Sequence, residues 1–291
     1  MTWLIMGGSG QLGIALSHEL SKREIVFKAW GSKDLDITQG PIVRDSIAVF
    51  SPKVIINCAA WTDVDGAEKN EIGAGRVNRD GAENLALAAK RCGAKLIHIS
   101  TDYVFSGDKR TPWQVDGEIS PQSAYGRTKA EGESRVVVTY PENAFIVRTS
   151  WLYSRWGKNF AKTMTKLALS GEGEVSVVDD QIGQPTFAGD LAKQIIDLVL
   201  SNAPRGIYHG TSSGQATWFE FAQEIFKLAG TDFSRVAPIS TAKFPRPAKR
   251  PAYSVLGHDA WANTSVPVLR DWRIALADAM PAIISTVKAG E

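Results

Sequence analysis

The sequence predicts an α/β protein with a doubly wound parallel sheet and a smaller, interleaved C-terminal lobe. Two observations predict this fold. Short apolar segments alternate with helical segments through the first half of the chain, which is typical of a parallel sheet with helices on both faces. A glycine-rich turn, Gly7–Gly13, then separates the first strand from the first helix, as in Rossmann-type dinucleotide-binding folds.

The elements of the first half follow from this alternation and from the turn residues between them. Strands are predicted at Thr2–Met6, Ile25–Ala29, Val54–Asn57, Lys95–Ser100 and Phe145–Thr149. Helices are predicted at Gln11–Leu20, Gln39–Phe50, Ala74–Arg91 and Tyr125–Thr139. Ser51 and Pro52 end the second helix, and Gly93 is a suitable C-terminal residue for the third.

After Thr149 the alternation is looser. Helices are predicted at Asn159–Leu169, Leu191–Leu200 and Trp218–Leu228, with short strands at Glu174–Val178 and Ile207–His209. The proline-rich segment Lys243–Pro251 must be extended. We therefore predict a dinucleotide-binding domain over residues 1–150, to which parts of 178–212 return, and a substrate-binding lobe formed mainly by 151–291. The cleft between the two would hold a second ligand.

Composition gives no indication of a nucleic-acid, membrane or metal partner. Of the 291 residues, 44% are hydrophobic and 22% charged, and the net charge is +2, which is ordinary for a globular protein. The sequence contains no apolar run of membrane-spanning length and no signal-peptide pattern. Its two cysteines and four histidines have no disulfide or ligand spacing. We therefore expect a cytoplasmic protein.

The glycine turn is the first candidate binding element. Gly7, Gly10 and Gly13 fit the pattern Gly-x-x-Gly-x-x-Gly, which follows the first strand and runs into the first helix. Gln11 and Leu12, the first two residues of that helix, belong to the same predicted cofactor site. Glycines permit a tight turn and allow the backbone to approach a pyrophosphate, which the helix N-terminus then faces. A plain strand-to-helix turn is the alternative, and the position at the start of the chain makes it the less favoured one.

The end of the second strand indicates which nicotinamide cofactor is used. An NAD-selective site usually has an acidic residue there to bind the ribose 2′-hydroxyl, but this chain has none before Asp34. Ser32 and Lys33 could instead hold a 2′-phosphate, unless Lys33 is simply solvated. Asp36 and Ile37 could flank the adenine. NADPH is therefore the favoured cofactor, and NADH stays possible.

The third strand ends in small residues. Ala59 and Ala60 could leave room for the ribose and diphosphate of the cofactor, and Thr62 follows in what we predict to be a loop, residues 62–65. Such loops lie at the carboxyl ends of the strands, where sheets of this type bind ligands. Tight core packing accounts for the small residues equally well.

Tyr125 and Lys129 are the principal catalytic candidates. They are four residues apart on a predicted helix, so their side chains share one face. An ammonium group beside a phenol favours the phenolate and lowers the tyrosine pKa from about 10 towards neutrality, which would give a general acid or base. Thr101, at the end of a strand, could hydrogen-bond a substrate carbonyl beside Tyr125. Alone, the Tyr-Lys spacing would usually indicate only a surface helix.

Two further groups could bind a substrate. Trp151 follows the last core strand, and an aromatic ring at a cleft rim can stack on a sugar or a base, although core packing is the more usual role. Arg250 is one of several basic residues among the prolines of Lys243–Pro251. A preformed basic loop could clamp a diphosphate, and a solvated extended segment is an equally good interpretation.

Six segments, which together span nearly the whole chain, resemble the dTDP-4-dehydrorhamnose reductase family of the extended short-chain dehydrogenases/reductases. They are Asn57–Glu68, Ser100–Phe105, Arg148–Tyr153, Asn159–Met164, Asp179–Thr186 and Phe244–Pro251. The resemblance implies the reduction of the C4 ketone of dTDP-4-dehydro-L-rhamnose by NADPH or NADH. This is the last step of dTDP-L-rhamnose synthesis, and a role in cell-wall or surface polysaccharide would follow by analogy.

The resemblance also implies roles for individual residues. Tyr125 would protonate the ketone oxygen, Lys129 would bind the nicotinamide ribose, and Thr101 would hold the carbonyl. Asp102 and Tyr103, which follow Thr101, would also bind the substrate. The substrate-binding set is completed by Trp151 on the sugar and by Asn159 and Arg250 near the nucleotide diphosphate.

Some family members are described as magnesium-linked dimers. Ala15 stands here where an acidic ligand could sit, so we predict no bound metal and either a monomer or a homodimer.

Three alternatives stay open at this point. Dehydratases of the same fold resemble one another in a Thr-Asp-Glu run, but here Tyr103 follows Thr101-Asp102, which argues against dehydration. A 4-ketoreductase that makes a different dTDP-deoxysugar is harder to exclude. A non-catalytic dinucleotide-binding regulatory subunit is less favoured, because the glycine turn and the candidate catalytic residues are all present.

Overall fold

The structure is a computed structural model that describes residues 2–171 and 173–290. Residues 1 and 291, the outer ends of the two predicted domains, lie outside the described residues, as does residue 172. The strands are β1 (Trp3–Met6), β2 (Phe27–Trp30), β3 (Val54–Asn57), β4 (Lys95–Thr101), β5 (Ala144–Thr149), β6 (Leu152–Tyr153), β7 (Val175–Val178), β8 (Ile182–Gly183), β9 (Thr186–Phe187), β10 (Gly206–His209), β11 (Ser212–Ser213), β12 (Ala216–Thr217), β13 (Val236–Ile239) and β14 (Leu269–Asp271).

The helices cover both faces of the central sheet and build the smaller lobe. They are α1 (Gln11–Lys22), α2 (Gly40–Phe50), α3 (Val64–Lys69), α4 (Glu71–Gly75), α5 (Gly81–Cys92), α6 (Ala124–Thr139), α7 (Phe160–Ser170), α8 (Ala188–Leu200), α9 (Trp218–Leu228) and α10 (Trp272–Lys288). A π-helical turn at Arg76–Asp80 joins α4 to α5. Short 3₁₀ turns occur at Asp102–Val104, Phe233–Arg235, Thr241–Lys243 and Asp259–Asn263.

A parallel sheet organises the first half of the chain. Over the described residues it contains six strands in the order β10-β5-β4-β3-β1-β2, and each neighbouring pair is parallel. This confirms the predicted fold class. The strand order reverses between β1 and β3, and such a switch point opens a crevice at the carboxyl ends of the strands.

The core follows from the alternation of side chains along the buried strands. In β1, Trp3 and Ile5 pack with α1 and α8 on one face, whereas Leu4 and Met6 pack with α2 and α5 on the other. Strand β10 pairs with β5, and α8 packs against α1. Residues from the second half therefore complete the sheet of the first half. This is consistent with the predicted return of parts of 178–212, although the domain boundary at residue 150 stays a prediction.

The smaller lobe has its own apolar core, in which α7, α9 and α10 pack around Phe221, Phe226 and Trp272. Strands β7 and β13 pair beside it. Helix α10 was not predicted from the sequence. In the described part of the chain no helix has both the length and the apolar character needed to cross a bilayer.

Most predicted elements of the first half lie within two residues of those in the structure. Two expectations were wrong. The predicted loop, residues 62–65, ends at Asp63, and its last two residues begin α3, because the Asp63 side chain accepts a hydrogen bond from Gly66 N at 2.9 Å and caps that helix. The single helix predicted at Ala74–Arg91 is interrupted by the π-helical turn, which apolar periodicity alone does not distinguish from a continuous helix.

A buried ion pair fixes α6 on the sheet. Glu133 on α6 accepts hydrogen bonds from Arg148 on β5, at 2.9 Å from Nε and 2.7 Å from Nη2. The two side chains are 7% and 2% exposed. Arg148 also donates to Val115 O at 3.0 Å. Because Glu133 lies four and eight residues after Lys129 and Tyr125, the pair holds that face of the helix against the sheet.

We predict that Glu133→Gln lowers the free energy of unfolding by about 3 kcal/mol, because the substitution leaves the Arg148 charge buried without its carboxylate. The matched control is Glu71→Gln. Glu71 receives the same two-point contact from Arg127, also on α6, but that pair is 45% and 41% exposed. Its loss should cost less than about 1 kcal/mol. Urea unfolding of the three proteins measures both effects, and equal losses would contradict the role given to the buried pair.

Candidate active site

The glycine turn forms the floor of a cleft at the switch point. Gly7 has φ +76°, and a Cβ there would lie 2.6 Å from Ala59 N, so only glycine allows β1 to end this close to β3. Gly10 occupies the N-cap of α1 and has no side chain to bind the first amides of that helix. Those N–H groups are therefore available to an anion at the positive end of the helix dipole.

The cleft encloses about 890 Å³ and extends from the glycine turn across the ends of β1, β3, β4 and β5 to the smaller lobe. Residues of both halves line it. Those that the sequence predicted are Gly7, Gly10, Gln11, Leu12, Gly13, Ser32, Asp36, Ile37, Ala59, Ala60, Thr62, Thr101, Asp102, Tyr103, Tyr125, Lys129, Trp151 and Asn159. The structure thus brings these positions together around one cavity, and Lys33 and Arg250 lie outside its lining.

The end of β2 forms one side of the cleft. Gly31 N donates to the Asp34 carboxylate at 2.7 Å, which closes a tight turn and places Ser32 on the cleft side. Ser32 and Asp36 both line the cleft and are both exposed, whereas Ile37, the residue after Asp36, is buried. Lys33 is exposed as well, so its contact with a 2′-phosphate stays a prediction that needs its side chain to turn inwards.

The three catalytic candidates meet where β4 ends. Tyr125 lies in the first turn of α6, whose N-cap Ser123 accepts a hydrogen bond from Gly126 N at 3.1 Å. The phenol of Tyr125 lies beside the Thr101 hydroxyl, which acts to lower the pKa of the phenol. Lys129, one turn later, is buried and donates from Nζ to Ile99 O at 2.5 Å. This geometry places two hydroxyl groups and one ammonium group at the same strand end.

The electrostatics of Tyr125 and Lys129 differ from the sequence expectation. Burial raises the pKa of Tyr125 to about 12, and the nearby Asp102 carboxylate adds to the rise while the Thr101 hydrogen bond opposes it. Burial lowers the pKa of Lys129 to about 8, although Glu133 opposes the fall. The prediction that Lys129 brings the Tyr125 pKa towards neutrality was therefore wrong for this arrangement. The ammonium group is directed at the Ile99 carbonyl, so it does not offset the burial of the phenol.

Asp102 gives the site a buried carboxylate next to Thr101. Burial raises the pKa of Asp102 to about 6, against hydrogen bonds from the Ser254 and Thr101 hydroxyls. The Thr101 hydroxyl donates to Asp102 Oδ1 at 3.0 Å. The Asp102 carboxylate is thereby held at the strand end where the Tyr125 phenol lies, and it contributes to the raised pKa of that phenol.

Aromatic rings form the wall on the side of the smaller lobe. Trp151 stacks on Trp218 with ring centroids 3.5 Å apart and an interplanar angle of 9°. Tyr103 meets Tyr125 edge to face at 5.6 Å. Both indoles line the cleft, and Trp218 was not among the sequence-predicted site residues. Its position directly after Thr217, the N-cap residue of a Thr-x-x-Glu capping box, was the available signal.

Asn159 joins the two halves of the chain beside the glycine turn. Its Nδ2 donates to Gln11 Oε1 at 2.9 Å and to Ser154 O at 2.8 Å. Its Oδ1 accepts from Lys162 N at 3.0 Å and caps α7. The sequence did not predict this contact with Gln11. The predicted contact of Asn159 with the nucleotide diphosphate stays a prediction.

Arg250 lies outside the cleft lining because its guanidinium group is bound to Asp65. The two nitrogens of Arg250 lie 2.9 and 3.0 Å from the carboxylate oxygens, and Ala248 N donates to the same carboxylate at 3.1 Å. The hydrogen bond from Arg250 lowers the pKa of Asp65. Contact of Arg250 with a diphosphate would require exchange of this carboxylate for the ligand, and it stays a prediction.

The described residues, 2–171 and 173–290, contain no group of three or more His, Cys, Asp or Glu side chains placed to hold a metal ion. At the end of β4 the side chains supply the hydroxyl groups of Thr101 and Tyr125, the ammonium group of Lys129 and the carboxyl group of Asp102, beside an anion-binding helix terminus. Such a set can bind a dinucleotide and transfer a proton to a carbonyl oxygen.

Comparison with known proteins gives consistent matches over nearly the whole chain. A family model described as RmlD substrate binding domain matches residues 1–284. A Streptomyces antibioticus protein named probable dTDP-4,6-dihydroxy-2-methyloxan-3-one 4-ketoreductase is 46% identical over 98% of this chain and 96% of its own. A Streptomyces griseus dTDP-4-dehydrorhamnose reductase is 44% identical over 97% and 93%. The crystal structure of dTDP-4-dehydrorhamnose reductase from Bacillus anthracis in complex with NADP has a TM-score of 0.92, with 39% identity over 96% and 98%.

We predict that Asp102→Asn makes the protein more stable at pH 7, because folding raises the pKa of Asp102 from 3.8 to about 6. A raised carboxyl pKa means that the folded state binds the proton more tightly than the unfolded state. The stability contribution of the protonated form is therefore complete below the unfolded pKa and is lost as the pH rises through the folded pKa. The side-chain amide in Asp102→Asn cannot ionise, so the variant avoids this loss of stability, which for Asp102 is on the order of 3 kcal/mol at neutral pH.

Urea unfolding at pH 7 and near pH 4 measures the difference between the two proteins, which should shrink on acidification. Asp108→Asn, at an exposed residue, is the control, for which a small difference is expected at both pH values. An Asp102→Asn protein that is less stable than wild type at pH 7 would contradict the assignment.

Proposed function

This chain belongs to the dTDP-4-dehydrorhamnose reductase family, and we propose that it reduces the C4 ketone of dTDP-4-dehydro-L-rhamnose with NADPH. The product is dTDP-L-rhamnose, and the reaction is the last step of its synthesis. The observation that carries the proposal is the meeting of Thr101, Tyr125 and Lys129 at one strand end, inside a cleft that begins at the glycine turn.

The cleft residues fit a dinucleotide. The amides at the start of α1 suit a pyrophosphate, and glycine at position 7 lets the turn lie close to β3, since a Cβ there would lie 2.6 Å from Ala59 N. Ser32 would hold the 2′-phosphate at the far side, and Lys33 would assist after turning inwards. Ala59, Ala60 and Thr62 would line the path to the nicotinamide ribose, which Lys129 would bind. When bound there, NADPH supplies the hydride for the ketone carbon.

Tyr125 would supply the proton. Because its pKa is raised to about 12, the phenol is fully protonated at neutral pH, which is the state that a reduction requires. A substrate carbonyl oxygen placed between the Tyr125 and Thr101 hydroxyls would accept a hydrogen bond from the phenol. As charge develops on the ketone oxygen, Tyr125 would transfer its proton to that atom.

Lys129 would stabilise the phenolate that remains after proton transfer. With a pKa of about 8 the side chain is mostly charged at neutral pH, and the Ile99 carbonyl holds it on the catalytic face of α6. To favour the charged form of Tyr125, the ammonium group would have to turn from Ile99 O towards the phenolate. Asp102, Tyr103 and the Trp151 ring would surround the sugar. The whole cleft belongs to one chain, so a monomer and a homodimer are both compatible with it, and we place the reaction in the cytoplasm.

A second candidate is a 4-ketoreductase for another dTDP-deoxysugar. The name of the Streptomyces antibioticus relative, at 46% identity, favours it. The proton-transfer residues would be the same in both reactions, and only the way in which the sugar lies against the aromatic wall would differ. Both 4-keto sugars should therefore be offered in the assay, with NADPH and NADH tested separately.

We predict that Tyr125→Phe lowers kcat roughly 10²–10⁴-fold with dTDP-4-dehydro-L-rhamnose, because it removes the proton donor. NADPH binding should persist, since the ring remains. The assay follows nicotinamide absorbance and identifies the product sugar. Tyr140→Phe is the matched control, because Tyr140 follows the other end of α6 and its hydroxyl accepts a hydrogen bond from Asn143 at 3.2 Å, away from the cleft.

The proposal fails if the folded wild-type protein binds NADPH and yet oxidises it with neither sugar. That outcome would move the assignment to a binding role. Turnover of the alternative sugar alone would move it to the second candidate.

A further inference from the structure

A close aromatic contact in the cleft involves a residue that the proposed reaction does not use. Trp218, the first residue of α9, lies parallel to Trp151 with ring centroids 3.5 Å apart. Offset or tilted contacts at larger separations are the usual arrangement of aromatic pairs in proteins. Both indoles are half-buried and line the cleft, whereas a ring that served only the core would be enclosed.

Trp151 is held in an unusual backbone conformation. Its φ is +44°, a left-handed value that is costly for a residue with a large side chain. The neighbouring contacts hold it there, since Thr186 N donates to Trp151 O at 3.2 Å and Ser150 Oγ donates to Gln184 O at 2.9 Å. Strain of this kind persists where the surrounding structure fixes the orientation of a side chain that has a function.

Gly183 limits the same ring from β8. A Cβ at Gly183 would lie 2.5–2.7 Å from three atoms of the Trp151 indole, Cε2, Cζ2 and Nε1. The ring is thus located by two contacts, the plane of Trp218 and the backbone of Gly183. Both contacts act on the wall of the cleft, whereas the Thr101 hydroxyl and the Tyr125 phenol lie together at the end of β4.

Trp218 is in turn fixed by the smaller lobe. The preceding residue, Thr217, forms a capping box with Glu220 and donates to Asp179 Oδ1 at 2.7 Å. The Phe160 ring packs on Trp218 at 4.6 Å. These contacts belong to the N-termini of α7 and α9, so the orientation of Trp218 is a property of the smaller lobe.

We propose that Trp218 is a positioning residue that holds the Trp151 indole in the orientation from which it contacts the sugar of the substrate. The proposal rests on the proposed function, because it assigns the aromatic wall to the sugar. It explains why three features all fix the position of the Trp151 ring. These are the positive φ of Trp151 itself, the lack of space for a side chain at Gly183 and the capped N-terminus of α9, which carries Trp218. Trp218 would then influence sugar binding and sugar alignment, and would leave NADPH binding unchanged.

The test compares steady-state kinetics of Trp218→Ala, Trp218→Phe and Gly183→Ala with those of the wild type. Loss of one stacked pair should raise KM for the dTDP-sugar about 3- to 10-fold and lower kcat, with KM for NADPH unchanged. Trp218→Phe should recover most of the loss, because a smaller ring still covers the indole. Gly183→Ala should raise the sugar KM in the same way by displacing Trp151 while α9 stays intact.

A spectroscopic measurement tests the geometry independently of activity. Two parallel indoles at this distance should give an exciton couplet in the far-ultraviolet circular dichroism of the wild type. The couplet should vanish in Trp218→Phe. It should persist in Trp156→Phe, the control that also removes one indole, because Trp156 stacks on the imidazole of His18.

The proposal is overturned if Trp218→Ala folds, loses the couplet and keeps the sugar KM and kcat of the wild type. A rise in KM for NADPH equal to the rise for the sugar overturns it as well. If Trp218→Ala does not fold, unchanged sugar kinetics in both Trp218→Phe and Gly183→Ala overturn it in the same way. Failure of the proposed function is distinct, because it would appear as absent turnover in the wild type.

Discussion

The position of the candidate site depends on the buried ion pair between Glu133 and Arg148. Glu133 lies one helical turn after Lys129, and Arg148 lies three residues before Trp151 in the strand that leads to the aromatic wall. One contact therefore fixes the helix that carries the proton-transfer groups relative to the strand that carries the sugar-facing ring. Removing two charges from water is unfavourable, and the two-point geometry with a third bond to Val115 O offsets that loss. As a result, α6 and β5 are held in a fixed position relative to each other.

The ionisable groups of the site are held in environments that oppose their charged forms. Burial raises the pKa of Asp102 to about 6 and of Tyr125 to about 12, and it lowers that of Lys129 to about 8. For Lys129 the stability loss is present below pH 8 and is relieved as the pH rises towards the unfolded value of 10.5. For Asp102 the loss is present above pH 6. The folded protein is thus strained electrostatically across neutral pH, as expected where groups are kept ready for proton transfer.

The sequence was sufficient to predict those features of the fold and of the site that depend on local residue patterns. The bounds of β3 and α9 match the prediction, because each is a strongly patterned segment with clear end signals. Sequence spacing also placed Tyr125 and Lys129 on one helix face. It could not give the direction of the Tyr125 pKa, since that depends on how deeply the phenol is buried and on an Asp102 carboxylate from another element. The partner of Arg250, 185 residues away, and the stacking of Trp218 on Trp151 were equally out of reach, because only the folded chain brings them together.

The division of the site between the sheet and the smaller lobe bears on how related proteins come to act on different sugars. Thr101, Tyr125 and Lys129 stand on the sheet and on α6, whereas Trp218 stands on the smaller lobe, where it lines the cleft and stacks on Trp151. The relatives carry names that refer to three different 4-keto sugars or their products, although each is 43–46% identical to this chain over nearly its full length. Changes in the smaller lobe could alter the orientation of one aromatic ring without moving Thr101, Tyr125 or Lys129. Substrate choice and proton transfer can therefore vary separately in this fold, because they rest on different elements that meet only across the cleft.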